Sequence, residues 1–252
     1  MQVKAVLFDL FDTLLLIEKG EEFYEPSLKK LHETLARNGI NVAFEDFKRI
    51  YFEVRDELYY KASENLEEPH FNIRISQTLK RLGYNLNSSN KVVAEATKAF
   101  ANKFACYVRL DEDAPEILQK LHRKYKLGMV SNFAIPECIW DLLEKFDLKK
   151  FFDIVVISGE INRRKPSPEI FQKALRKLGV DSHEAVFVGD TPGLDIKGAK
   201  AIAMNAILIQ RKTSTTDVPN SFIWRPPENN MEHKPDRIIK RLKELPEIME
   251  DC

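Results

Sequence analysis

An apolar run, Val3, Ala5, Val6, Leu7 and Phe8, stops on an acid, Asp9, and continues as Leu10-Phe11-Asp12-Thr13-Leu14. The run reads as a buried strand. A carboxylate placed where such a strand surfaces is held at the carboxyl edge of a sheet, where open α/β folds bind their ligands. Asp9 is therefore the first candidate for a nucleophile, and few folds other than a parallel α/β sheet present an acid in this way.

The pattern recurs twice. Leu127-Gly128-Met129-Val130 ends in Ser131-Asn132, and Ala185-Val186-Phe187-Val188 ends in Gly189-Asp190, with Asp195 close behind. Between them lies the basic stretch Arg163-Arg164-Lys165-Pro166-Ser167-Pro168, where Pro168 marks the start of a helix. One lysine among three carboxylates suits a phosphate site. The remaining segments alternate as well: a helix opening at Pro136 and carrying Ile139, Leu142, Leu143 and Phe146, a strand over Phe152 to Ile157, and a helix over Pro168 to Leu178. A helix over Leu194 to Ala201, a strand over Ala206 to Ile209 and a last short strand and helix within Ile238 to Leu245 complete the series. Alternation of this kind predicts a doubly wound parallel sheet with a Rossmann-like α/β core.

From about Glu21 to Val108 the period changes to that of a helix. Leu28, Leu31 and Leu35 form one stripe, and Phe44, Phe47, Ile50, Tyr51, Val54 and Leu58 a second. Ile73, Ile75, Leu79 and Leu82 form a third, and Val92, Val93, Ala96, Phe100 and Phe104 a fourth. Breaks at Asn38-Gly39, at Pro69 and across Asn85 to Asn90 separate four amphipathic helices, enough for a small bundle. The linkers are expected near Leu15 to Gly20 and Arg109 to Ala114, with Asp111 to Asp113 capping the helix of Ile117, Leu118 and Leu121.

Taken in order, Asp9 to Thr13, Ser131, Lys165, and Asp190 with Asp195 resemble the four motifs of the haloacid dehalogenase superfamily, over about half the chain. The resemblance implies an α/β core over residues 1–16 and 111–252 and an inserted helical cap of type 1 over residues 17–110. It also implies a hydrolase, most members being magnesium-dependent phosphatases. Asp9 would be the nucleophile, with Ser131 and Lys165 as the other catalytic groups. Mg2+, which takes octahedral oxygen ligands, would sit on Asp9, the Phe11 carbonyl, Asp190 and Asp195. Thr13 and Asn132 would be substrate-binding residues, Asn132 through its backbone amide and Thr13 by stabilising the turn after Asp9. The expected substrate is a small phosphorylated metabolite.

The chain departs from the phosphatase pattern at one place. Phosphatases of this superfamily carry a second aspartate two positions after the nucleophile, to protonate the leaving oxygen and later activate water, and here that position is Phe11. Loss of a general acid costs ~100 to 10,000-fold. Three accounts are open: Asp12 as the substitute acid, although capping of the turn is the simpler assignment for it, a substrate whose leaving group has a low pKa, or a slow enzyme. A strong dependence of rate on leaving-group pKa is expected. A Phe11→Asp change is expected to raise activity on sugar phosphates. Two other readings stay open: a metal-independent 2-haloacid dehalogenase, which needs no acid at this position, and a weakly active or non-catalytic binder of phosphorylated metabolites. The acids at 190 and 195 favour the metal-dependent phosphatase, because carboxylates crowded beside Asp9 require a cation.

Composition narrows the partners. Lys plus Arg and Asp plus Glu are 39 each in 252 residues, so no net field draws the chain to nucleic acid or an anionic membrane. No apolar run approaches the ~20 residues that span a bilayer, and no signal-like leader precedes the first strand, so a cytoplasmic enzyme is expected. A homodimer is admitted. Cys106, Cys138 and Cys252 are too few and too scattered for disulfides or structural zinc, and are expected to be buried thiols. Residues 211–236 read as a surface loop with Trp224 as a packing anchor, and Arg163 and Arg164 as solvated. Tyr59, Tyr60, His70 and Arg74 in the helical block are candidates for substrate contact, with core or surface the simpler assignment.

Overall fold

The computed structural model describes residues 3–18, 20–211 and 234–250. Strand β1 (Ala5–Phe8) leads through a tight turn into β2 (Leu15–Ile17) and then into four helices, α1 (Tyr24–Arg37), α2 (Phe44–Asn65), α3 (Phe71–Arg81) and α4 (Lys91–Phe104). After β3 (Val108–Leu110) helices and strands alternate: α5 (Ala114–His122), β4 (Lys126–Ser131), α6 (Pro136–Lys145), β5 (Ile154–Ile157), α7 (Ser158–Ile161) and α8 (Pro168–Leu178). The chain then runs through β6 (Ala185–Gly189), α9 (Lys197–Lys200), β7 (Asn205–Ile209), β8 (Arg237–Ile239) and α10 (Leu245–Glu250).

Six strands form one sheet in the order β5-β4-β1-β6-β7-β8, every pair parallel. β1 lies between β4 and β6, with Phe8 level with both Met129 and Val188. Its side chains alternate between two cores. Val6 and Phe8 join the apolar cluster that includes α5, α6 and the helical block, while Ala5 and Leu7 join the cluster under α8 and α9. Both faces being covered, β1 is apolar throughout and reads as a run rather than an alternation. On the α8 side Phe171 meets Phe187 edge to face at 5.0 Å. Each such ring, once buried, stabilises the fold by ~1.5–3 kcal/mol.

The four helices follow the predicted stripes. Leu28, Leu31 and Leu35 of α1 pack toward Val93, Ala96 and Phe100 of α4, all of them buried. Gly39, with φ +86°, makes the turn after α1, a left-handed conformation that glycine adopts without penalty. Asn90 starts α4 by accepting a hydrogen bond from Val92 N at 2.9 Å.

Several expectations are corrected. The two linkers are not plain loops: β2 and β3 pair antiparallel, Leu15 opposite Leu110 and Ile17 opposite Val108, so both chain crossings leave the core as one ribbon. Asp113 stands at the head of α5 but does not cap it with its side chain, because that carboxylate is taken by Arg241 at 2.7 Å. The helix expected over Leu194 to Ala201 begins as a π turn, Pro192–Ile196, before α9. Cys138 is buried, its thiol pushed up to about 12 by burial, whereas Cys106 is exposed. Trp224, most of the 211–236 loop and Cys252 lie outside the described residues. Among the described residues no helix is long and apolar enough to cross a membrane.

Candidate active site

The three central strands, β4, β1 and β6, end side by side, so Ser131, Asp9 and Asp190 emerge at one edge. Asp9 is locked to the sheet by its backbone N–H, which donates to Val188 O at 2.9 Å. Lys165 comes from the loop before α8, and that loop is fixed at both ends. Ser167 caps α8 by accepting from Glu169 N at 3.3 Å. Asn132 clamps the Lys165 backbone, its Oδ1 accepting from Lys165 N at 2.8 Å and its Nδ2 donating to Lys165 O at 3.1 Å.

These constraints deliver the Lys165 ammonium into a buried cluster of acids. Nζ lies 2.5 Å from Asp9 Oδ1 and 2.7 Å from Asp195 Oδ1, and the three side chains are at most 10% exposed. Two carboxylates sharing one ammonium push Lys165 up to about 12, against the opposing effect of burial. Burial raises Asp9 to about 6, Lys165 opposing and Asp195 adding to the rise. Asp9, Asp190 and Asp195 bring carboxylate oxygens within 4.8 Å of one another. Three acids packed this closely, two of them sharing one lysine, present oxygen-only donors, which is the chemistry of a hard divalent cation site. The residues therefore fit such an ion.

Asp195 is oriented twice over. Its Oδ2 accepts from Thr191 N at 2.9 Å, and Thr191 Oγ1 in turn donates to Asp190 Oδ1 at 3.2 Å, so one carboxylate sets the position of the next. Gly189 explains itself here: a Cβ at that position would sit 2.4 Å from Asp195 Oδ2. The motif needs glycine because the carboxylate packs directly on the backbone.

Ser131 is 1% exposed and its hydroxyl has no hydrogen-bond partner among the described residues. A buried hydroxyl left unsatisfied carries a desolvation penalty, which an incoming hydrogen-bond acceptor beside Asp9 would relieve. Thr13 Oγ1 donates to Asp9 Oδ2 at 3.4 Å, a long bond that steadies this carboxylate. Asp12 sits at φ 56°, a left-handed conformation that aspartate tolerates, and its Oδ1 is 3.5 Å from Ile17 N on β2. Phe11 faces away from water: its ring lies 5.5 Å from Phe104 of α4 and 5.1 Å from Phe133.

Three further residues shape the site without having been singled out for it. Arg211 at the end of β7 donates to Asp12 O at 3.1 Å and Thr13 O at 2.5 Å and pairs with Asp111 at 2.7 Å, binding the nucleophile turn and the return of the chain to the sheet. Arg164 is 2% exposed, which overturns its assignment to a solvated loop, and Glu68 from the α2–α3 connection lies beside it at 3.5 Å. Arg163 is the more open of the two, paired with Glu67 and Glu169. His70 caps α3 through Nδ1 and meets Glu137 at 3.1 Å, and Tyr60 is exposed, in keeping with surface roles.

The family model described as haloacid dehalogenase-like hydrolase matches residues 3–203, and a second, HAD-hydrolase-like model matches 162–245. The chain is 35% identical over 241 residues to a glyceraldehyde 3-phosphate phosphatase of Methanopyrus kandleri, covering 90% of this chain and 95% of that one. It is 30% identical over 254 residues to the glyceraldehyde 3-phosphate phosphatase of Pyrococcus furiosus, covering 99% and 94%. Among solved structures, the 2-haloacid dehalogenase of Pseudomonas syringae superposes with a TM-score of 0.71 at 23% identity, covering 99% of both chains, a likeness of fold.

Proposed function

Because the chain belongs to the haloacid dehalogenase-like hydrolase family, we propose that it is a Mg2+-dependent phosphatase of small phosphorylated metabolites, with Asp9 as nucleophile. The observation that carries this reading is the Lys165 ammonium held between Asp9 and Asp195 inside a surplus of carboxylates. The two phosphatase relatives, 30% and 35% identical along nearly their whole length, support it. We read residues 17–110 as a cap and residues 1–16 and 111–252 as the core.

Asp9 attacks phosphorus, the bond from phosphorus to the leaving oxygen breaks, and the phosphoryl group rests on Asp9 as an acyl phosphate. Water then attacks phosphorus and returns the free carboxylate and inorganic phosphate. Lys165 balances charge on Asp9 and on the phosphoryl oxygens, and Ser131 donates its hydroxyl to one of them. Asn132 acts through its side chain by holding the Lys165 backbone in place. Asp9, Asp190, Asp195 and the Phe11 carbonyl would hold Mg2+, which offsets the repulsion between carboxylate and phosphate. The leaving oxygen takes its proton from Asp12, which gives up its long contact with Ile17, or needs none when its own pKa is low.

Hydrolysis of an aryl phosphate with and without Mg2+, beside halide release from a 2-haloacid without metal, tests the reading. Mg2+-dependent phosphate release supports it. Metal-independent halide release with no phosphatase activity replaces it with the dehalogenase, and neither activity leaves a binding protein. Leaving-group dependence is measured with esters of graded pKa in wild type and Asp12→Asn: a slope that steepens in the variant assigns the acid to Asp12.

A further inference from the structure

Two residues of the helical block, Tyr59 and Arg74, are not used by the reaction as derived. Arg74 on α3 is 5% exposed, and Nη1 donates to the Tyr51 hydroxyl at 3.2 Å, itself 2.8 Å from the Tyr24 hydroxyl. The guanidinium lies 5.1 Å from the ring centres of both Tyr59 and Phe71 and 5.8 Å from that of Tyr51. Among the described residues Nε has no hydrogen-bond partner and no carboxylate forms an ion pair with the guanidinium, the strongest electrostatic influences on it being the phenols of Tyr51, Tyr59 and Tyr24. The other buried arginines of this region have acids beside them, Arg55 with Asp56 at 2.6 Å and Arg164 with Glu68 at 3.5 Å. A buried guanidinium that lacks an anion is among the least favourable arrangements in a protein, since phenols and ring faces offset only part of its lost hydration.

The cluster borders the catalytic loops. Phe71, whose ring lies against the guanidinium, donates its N–H to Ala134 O at 2.8 Å, just beyond Ser131 and Asn132. Leu66 O, at the end of α2, accepts from Arg164 N at 3.0 Å, one residue before Lys165. Tyr59 is within electrostatic reach of Arg74, of Glu68 and of Arg164, and Glu68 is already taken up by Arg164. Backbone hydrogen bonds thus tie the Arg74 cluster directly to the loops that carry Ser131 and Lys165.

We propose that Arg74, with the hydroxyls of Tyr51 and Tyr59, is a recognition subsite for a carboxylate on the substrate, distal to the phosphate that Asp9 attacks. The substrate class is then the short phosphate monoester of a hydroxycarboxylic acid, held at one end by Lys165 and Ser131 and at the other by Arg74. The subsite rests on the phosphatase reading and deepens it. It also departs from the relatives, whose names specify an aldehyde.

The test uses the full-length protein with Mg2+ and a pair of substrates, D-3-phosphoglycerate and D-glyceraldehyde 3-phosphate, which differ only by a carboxylate in place of an aldehyde. Wild type is expected to favour the carboxylate in kcat/KM. Arg74→Met is expected to lower the ratio of the two kcat/KM values by about 100-fold, the usual scale for removing one member of a buried charge pair, with Arg74→Lys recovering part of it. A ratio unchanged by the substitution overturns the subsite, even if both rates fall together. Thermal denaturation in the presence of each ligand, in wild type and in Arg74→Lys, gives the same comparison without turnover: preferential protection by phosphoglycerate that the variant loses supports the subsite, and equal protection overturns it. An aryl phosphate with no carboxylate reports the phosphatase reading separately, so an inert aryl phosphate sinks that reading while the protection experiment still decides the role of Arg74.

Discussion

The sheet edge and the helical block each bury a polar cluster, and the two are built on opposite charge plans. At the edge, Asp9 and Asp195 share the Lys165 ammonium and Asp190 lies close beside them. In the block, the Arg74 guanidinium lies among Tyr24, Tyr51 and Tyr59 and, among the described residues, forms no ion pair with a carboxylate. A cluster short of positive charge calls for a cation, and one short of negative charge calls for an anion. On the reading proposed above, a phosphorylated acid with its metal ion completes both.

The largest change is expected on the acidic side. Asp9→Asn should lower turnover by about 10,000-fold or more, as loss of a nucleophile does elsewhere. The same variant separates burial from catalysis. Asp9 in the folded protein is raised to about 6, from 3.8, chiefly by burial. The metal-free protein thus binds a proton more readily folded than unfolded, and its stability falls as pH rises across that interval and levels off above it. Thermal denaturation in chelator should show this fall in wild type and a flatter profile in Asp9→Asn.

Next comes the scaffold of that cluster. Gly189→Ala places a methyl group where Asp195 now packs, displacing the carboxylate from Lys165 and Thr191. A shift on the order of 1 Å costs about 100-fold, so kcat should drop by that order, and a kcat within twofold of wild type would show that the packing does not matter.

Phe11 is the seam between the two regions, its ring shared with Phe104 of the block and Phe133 of the core. Phe11→Asp removes those contacts at about 3–5 kcal/mol, the range for emptying a buried aromatic site, and a lowered urea midpoint measures it. The activity of the folded fraction on alkyl phosphates should rise relative to aryl phosphates, because a proton donor has been supplied. A rise without loss of stability would mean that the ring contributes little to joining the two regions.

The smallest effect is expected at Arg211, which touches carbonyls and Asp111 but none of the reacting groups. Arg211→Met should lower kcat about 10-fold and loosen the nucleophile turn, read as faster amide exchange at Leu14 and Leu15. Unchanged exchange would remove its positioning role.

How much of this was legible in sequence depended on range. β1, β4 and β6 are continuous apolar runs because both faces are covered, and each run ends on the polar residue that the site uses, so Asp9, Ser131 and Asp190 could be read locally. The stripes of α1 to α4 were legible for the same reason. The ribbon of β2 and β3 was not, since each strand has three residues and its partner lies across the whole helical block. Arg164 looked like part of a basic loop because Glu68 is remote in sequence, and Arg211 meets the Asp12 carbonyl across 199 positions. Asn132 was assigned to substrate through its backbone, whereas its side chain clamps Lys165, a contact between two loops that no local pattern announces.

Chemical trapping at residue 9 asks most directly whether the acid-rich edge performs phosphoryl transfer. Quenching turnover of a phosphate ester in Mg2+ and reducing with borohydride converts an acyl phosphate on aspartate into homoserine, which mass spectrometry of the peptide locates. Homoserine at position 9, formed only with both substrate and Mg2+ present, is the expected result. Unmodified Asp9 during sustained phosphate release, or reduction at a different carboxylate, would contradict it.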